Sequence, residues 1–136
     1  MQPRQVPEPS QNTMPWSSKI RLTSFSLSAA ISGSNGVVDL IDGGRSAAFT
    51  GENCSDYKNH ITGDTYAIQG NILLGQEILD DMEYAFINTY GSLDEKLIAT
   101  LMAANVPGAD IRCLNYGTPA LSAFIRVAKP ENDVND

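Results

Sequence analysis

The feature that most constrains the fold is a pair of amphipathic helical periods, Gly75 to Tyr90 and Ser92 to Asn105, joined at Gly91. In the first, Ile78, Leu79, Met82, Ala85, Phe86 and Thr89 recur at three- and four-residue steps and share one face. Glu77, Asp80 and Asp81 occupy its early turns, where the helix dipole favours anions, and Gly91 supplies the stop. In the second, Ser92 with Glu95 three residues on is a capping box, and Pro107-Gly108 lies beyond the end. Its expected buried face is Leu97, Ile98, Leu101 and Met102. Paired helices between strands predict a layer of antiparallel helices on a mostly antiparallel sheet, an α+β fold.

The strand signals lie on both sides of that pair. Gly36 to Ile41 and Arg45 to Thr50 flank Asp42-Gly43-Gly44, a hairpin pattern because glycine supplies the positive φ of tight turns. Gly51 to Thr65 reads as a long polar loop around His60, and Tyr66 to Leu73 as a third strand. The last element, Ala120 to Ala128, alternates: Leu121, Ala123, Ile125 and Val127 one way, Ser122, Phe124 and Arg126 the other. Ile20 to Ser28 breaks phase between Leu22 and Phe25, as in a strand with a bulge. No internal repeat is visible.

Composition limits partners more than it limits fold. With 136 residues, 42% of them hydrophobic, the chain supports one modest core. A formal net charge of −7, with lysines and arginines scattered, argues against nucleic acid and anionic membranes. No apolar run approaches the roughly 20 residues that span a bilayer, so membrane insertion is not expected. The N-terminal stretch is proline-rich and lacks the apolar centre of a signal peptide. The expected organisation is a leader over residues 1–33, a domain over 34–129 and an acidic tail over 130–136.

Few residues carry chemistry. Gln69, Gly70 and Asn71 interrupt an apolar run, and a buried amide costs free energy unless it finds partners. With His60, the only histidine, Gln69 and Asn71 are candidates for binding a small polar ligand. Ordering the His60 loop against the strand end explains them equally well. Asp56 and Asp64 can orient the imidazole, yet no activated serine or cysteine stands near it. Cys54 and Cys113 both occupy polar, loop-like settings, which favours a disulfide over two unpaired small hydrophobes. A zinc site is disfavoured with one histidine, and Asp39, Asp42 and Glu52 match no calcium loop, so no metal is expected. No glycine-rich phosphate motif occurs, and no cofactor is expected.

The stretch GVVDLIDGGRSAAFTGENCSDYKNHITGDTYAIQGNILLGQEILDDMEYAF resembles the domain-of-unknown-function family ten twenty-eight, within the Ntn-hydrolase-like (N-terminal nucleophile aminohydrolase) superfamily. The pattern is a Val-Asp strand, a Gly-Arg turn, Ala-Ala-Phe-Thr-Gly, a Tyr-Lys-Asn-His loop, a Gln-Gly-Asn strand end and a helix opened by glycine. It covers about Gly36 to Lys129, with GADIRC and ALSAFIRVAKP similar to the family's closing loop and last strand. The resemblance implies a four-layer αββα sandwich, here a partial domain corresponding to the family's C-terminal part. It also implies a bacterial, secreted or periplasmic parent protein, and some members bear a fimbrial-assembly label.

An enzyme of this superfamily uses the side chain and amine of its first residue. Met1 cannot serve, and Thr65 and Thr118, the threonines that self-cleavage could expose, read as turn residues. The expectation is therefore a non-catalytic binding or structural module with no catalytic residue in this chain. The alternative is an amide-bond hydrolase whose nucleophile lies upstream. A homodimer or a complementing N-terminal half is expected to cover faces carrying Val37, Phe49 or Ile125.

Overall fold

The computed structural model describes residues 33–39 and 43–127. The leader up to residue 32, with the segment Ile20 to Ser28, lies outside the described residues, as do 40–42 and the tail from 128 onward.

Strands β1 (Ser34–Asp39) and β2 (Arg45–Thr50) form the expected antiparallel hairpin, paired from Asp39↔Arg45 to Ser34↔Thr50. Gly43 and Gly44 take φ of 94° and 111°, the left-handed conformation that reverses the chain. Beside the turn, the Arg45 guanidinium donates from Nε and Nη2 to the Asp39 carboxylate, closing the hairpin with a charge-assisted pair.

The expected polar loop from Gly51 to Thr65 is only partly a loop. Asn59–Gly63 is a strand, β3, paired antiparallel with β4 (Tyr66–Gly70) across a two-residue turn at Asp64-Thr65. The turn contains no glycine, and β3 holds a single aliphatic residue, Ile61, so neither usual hairpin signal is present. The third strand also ends earlier than its apolar run suggests. At Ile72 φ is 59°, which no strand accommodates, and Leu73 makes only an isolated bridge to Asp110.

The two hairpins stack face to face through small residues. Gly36 lies against Ala67 and Gln69, and the Ser46 hydroxyl donates to the Gly63 carbonyl. Pairing parity puts Ser34, Gly36, Val38, Ser46, Ala48 and Thr50 on the inner face of the first sheet. Val37, Ala47 and Phe49 take its outer face, where Phe49 is 41% exposed. The other face of the β3–β4 sheet receives helix α1 (Gln76–Asn88), and α2 (Leu93–Ala103) packs on α1. The layers therefore run sheet, sheet, helices. The core lies between β4 and α1, where Ile68, Ile78 and Leu79 are buried.

The helices are those the periodicity predicts, with one adjustment. Met82 and Leu101 are half-buried, as facing stripes require, and Glu95 accepts from the Ser92 N–H at 2.8 Å. The expected face of α2 is rotated: Ile98 and Met102 are exposed, while Lys96, Leu97 and Thr100 turn inward. Two interactions make polar residues acceptable there. The Lys96 ammonium lies 5.3 Å from the centre of the Phe86 ring, and the Thr100 hydroxyl donates to the Lys96 carbonyl at 2.8 Å.

Two further expectations are corrected. Residues 120–127 form no strand and are exposed, because alternation supplies a face but not a place in a sheet, and neither described sheet includes them. Cys54 and Cys113 are both buried free thiols and form no disulfide. Their polar neighbours face outward while each sulfur side chain is enclosed, which is the behaviour of a small hydrophobe.

Candidate functional site

The sheet stack places two of the three candidate ligand residues together. His60 and Gln69 are direct cross-strand partners on β3 and β4. Both stand on the face turned toward the first hairpin, because His60 Nδ1 meets Thr50 Oγ1 at 2.9 Å. This bond ties the end of β2 to β3, and the strand backbone, not a loop, sets the height of the imidazole. The Gln69 amide occupies the space that a side chain at residue 36 would take: a Cβ on Gly36 would lie 2.2 Å from Gln69 Oε1. Glycine at residue 36 leaves the amide room in this position. Asn71 is placed otherwise, exposed beyond the end of β4, and is not part of the inter-sheet pair.

A second polar network lies on the opposite face of β3, toward α1. Asn59 Nδ2 and the Tyr57 hydroxyl both donate to Gln76 Oε1, at 2.8 and 2.7 Å. Gln76 Nε2 in turn donates to Asp80 at 2.6 Å, and Asn59 Oδ1 accepts from the His60 N–H at 2.9 Å. The network reaches His60 through its backbone, fixing the strand from behind. Between the sheet and the helices, Tyr66 donates to Glu83 at 2.6 Å and its ring packs on Phe86. That hydrogen bond to the carboxylate, with burial and the charge of Glu83, raises the Tyr66 phenol to about 12.

The site consists of a hydroxyl, an imidazole and a carboxamide at the rim of two stacked sheets. Such a set can both donate and accept hydrogen bonds. Thr50 escaped the sequence reading because a threonine ending a strand before glycine carries no signal of its own. Its partner is visible only once the hairpins are stacked. Thr65 is exposed in the β3–β4 turn and Thr118 is exposed, its carbonyl accepting from the Gly108 N–H. Among the described residues no three His, Cys, Asp or Glu side chains converge as a metal site would need. No described helix is long and apolar enough to cross a membrane.

The model of a family of unknown function, DUF1028, matches residues 35–136, which holds the stack from the second residue of β1 onward. The chain belongs to this family. No curated protein and no solved structure matches the chain. Family membership agrees with the resemblance read from the Val-Asp strand, the Ala-Ala-Phe-Thr-Gly run and the Tyr-Lys-Asn-His segment. It names no activity.

Proposed function

We propose that this DUF1028 domain binds a small polar ligand bearing an amide or carboxylate at His60 and Gln69, and does not turn it over. The observation that carries this reading is the Thr50–His60 bond of 2.9 Å, which holds the imidazole at the sheet rim beside the Gln69 amide. Asn71, exposed just past β4, is a rim contact to a ligand seated there. The finer fold assignment is part of the same proposal. Two stacked antiparallel sheets with helices outside one of them follow three consecutive layers of the Ntn-hydrolase-like αββα order. The outer face of the first sheet, with Val37 and Phe49, is then where a fourth layer would pack. A second copy or a complementing N-terminal half of the family domain would supply it. A secreted or periplasmic setting for the parent protein is part of the same proposal and rests on the family resemblance alone.

Calorimetric titration of the protein with a panel of carboxamides, including glutamine, asparagine and γ-glutamyl amides, tests the reading. Saturable binding lost in His60→Ala and in Gln69→Ala, with no product formed, supports it; affinity unchanged by both substitutions overturns it. A second reading, amide-bond hydrolysis, has one observation in its favour. Thr50 Oγ1 and His60 Nδ1 stand within the reach that a base needs to activate a hydroxyl. Turnover abolished by Thr50→Val would select that reading instead.

A further inference from the structure

The bond between Thr50 Oγ1 and His60 Nδ1 has a direction, and the direction decides what the site can hold. A part-buried hydroxyl proton left without an acceptor costs free energy, and Nδ1 is the acceptor beside it. Thr50 therefore donates, Nδ1 accepts, and the neutral ring carries its proton on Nε2, across the ring from Thr50. The Gln69 amide is oriented as well. A Cβ at residue 36 would lie 2.2 Å from Gln69 Oε1 and 3.0 Å from Cδ, so the carbonyl end of the amide points at the first sheet. The Cα–H groups of glycine suit an oxygen there, not an NH2. The NH2 end is left to the rim, on an exposed residue. As cross-strand partners, the imidazole and the amide thus each keep a donor for a ligand.

We propose that the ligand group held at this site is a carboxylate, one oxygen taking His60 Nε2–H and the other the Gln69 NH2. The inference rests on the binding reading above and narrows its ligand from an amide or carboxylate to a carboxylate. A carboxylate is all acceptor and uses both donors, whereas a primary amide brings an NH2 that meets only donors. Ser34 fits the same hydrogen-bond direction. It is the partner of Thr50 across β1 and β2, and the bond from the Gly51 N–H to the Gly33 carbonyl makes the next pair the hydrogen-bonded one. Ser34 and Thr50 are then the closer, non-hydrogen-bonded pair, in which serine and threonine hydroxyls bond across strands. Among the described residues Ser34 Oγ is the buried side-chain oxygen with no hydrogen-bond partner. If it donates to the Thr50 oxygen, every hydroxyl proton finds an acceptor only when Thr50 gives its own to Nδ1.

Calorimetric titration of the full chain with N-acetylglycine and N-acetylglycinamide, which differ only in that group, tests the proposal. Charge-assisted hydrogen bonds are about twice as strong as neutral ones, so the carboxylate should bind at least about tenfold more tightly. In Gln69→Glu, which puts a like charge in place of the NH2 donor, the carboxylate should lose at least about tenfold more affinity than the amide. Ring-nitrogen NMR of the ligand-free protein checks the imidazole donor by itself, on a chain with one histidine. The neutral ring should carry its proton at Nε2. A proton at Nδ1, equal affinity for the two probes, or equal losses in Gln69→Glu overturns the proposal and leaves binding at the site standing. Failure of both probes to bind removes the binding reading and this inference with it. The wild-type outcomes decide the question even if Gln69→Glu does not fold.

Discussion

Replacing Gly36 with alanine tests the sheet stack that positions the candidate site. Gly36 lies in ordinary strand backbone outside the left-handed region, so alanine meets no conformational penalty there. In its place, the new Cβ would stand 2.2 Å from Gln69 Oε1 and 2.9 Å from the Ala67 Cβ. The Gln69 amide can swing aside, out of the site. The Ala67 Cβ is fixed to β4, and carbons settle at about 3.5–4.0 Å, so the sheets must separate by roughly 0.6–1 Å. Overpacking of this kind costs about 1–3 kcal/mol, offset by about 0.5–1 kcal/mol gained in removing glycine from a strand. Taking the middle of each range, the expected net loss is about 1 kcal/mol. With a urea m-value of about 1–3 kcal/mol/M, the unfolding midpoint falls by roughly 0.3–1 M. Ala67→Gly removes the fixed carbon, so the double variant should be at least about 0.5 kcal/mol more stable than the two single effects predict. A neutral or stabilising Gly36→Ala, or strict additivity of the pair, would refute face-to-face stacking at this point.

Three other outcomes are expected. Thr50→Val should cost about 1 kcal/mol in urea unfolding, the worth of one part-buried hydrogen bond, and should alter the His60 ring resonances; unchanged resonances would separate the two residues. The Tyr66 phenol is raised in the folded state, so the stability it contributes is full below the unfolded value near 10 and is lost as pH rises through about 12. Tyrosinate absorbance should show this late titration, and Glu83→Gln should bring it back toward 10; no change in that variant would show that Glu83 is not the cause. Thiol titration without reductant should find Cys54 and Cys113 slow to react in the folded chain and both reactive in denaturant; their absence from the denatured chain would restore the disulfide.

The helices were legible because periodicity, a capping box and Gly91 agree with one another. The first hairpin was legible because Gly43 and Gly44 carry the turn in their residue types. Much of the rest depended on contacts that sequence does not display. The strand β3 has one aliphatic residue and a turn without glycine, so only its pairing with Tyr66–Gly70 reveals it. Conversely, residues 120–127 have the alternation of a strand and no place in either described sheet. The face of α2 was misjudged at Ile98 and Met102 because the Lys96 contact with Phe86 belongs to another helix. Of the candidate site, His60 and Gln69 were found from residue type, and their juxtaposition follows from β3–β4 register. Thr50 was not found, since its role depends on which sheet stacks over which.

The measurement that tests the central claim most directly is NMR titration of the labelled protein with glutamine and related carboxamides, following the His60 ring and the Gln69 side-chain amide. The account predicts saturable shifts concentrated at His60, Gln69 and Thr50, lost in Gln69→Ala, with the ligand recovered unchanged. Shifts confined to other surfaces, or none at saturating ligand, would contradict binding at this site. Conversion of the ligand during the titration would contradict the non-catalytic reading.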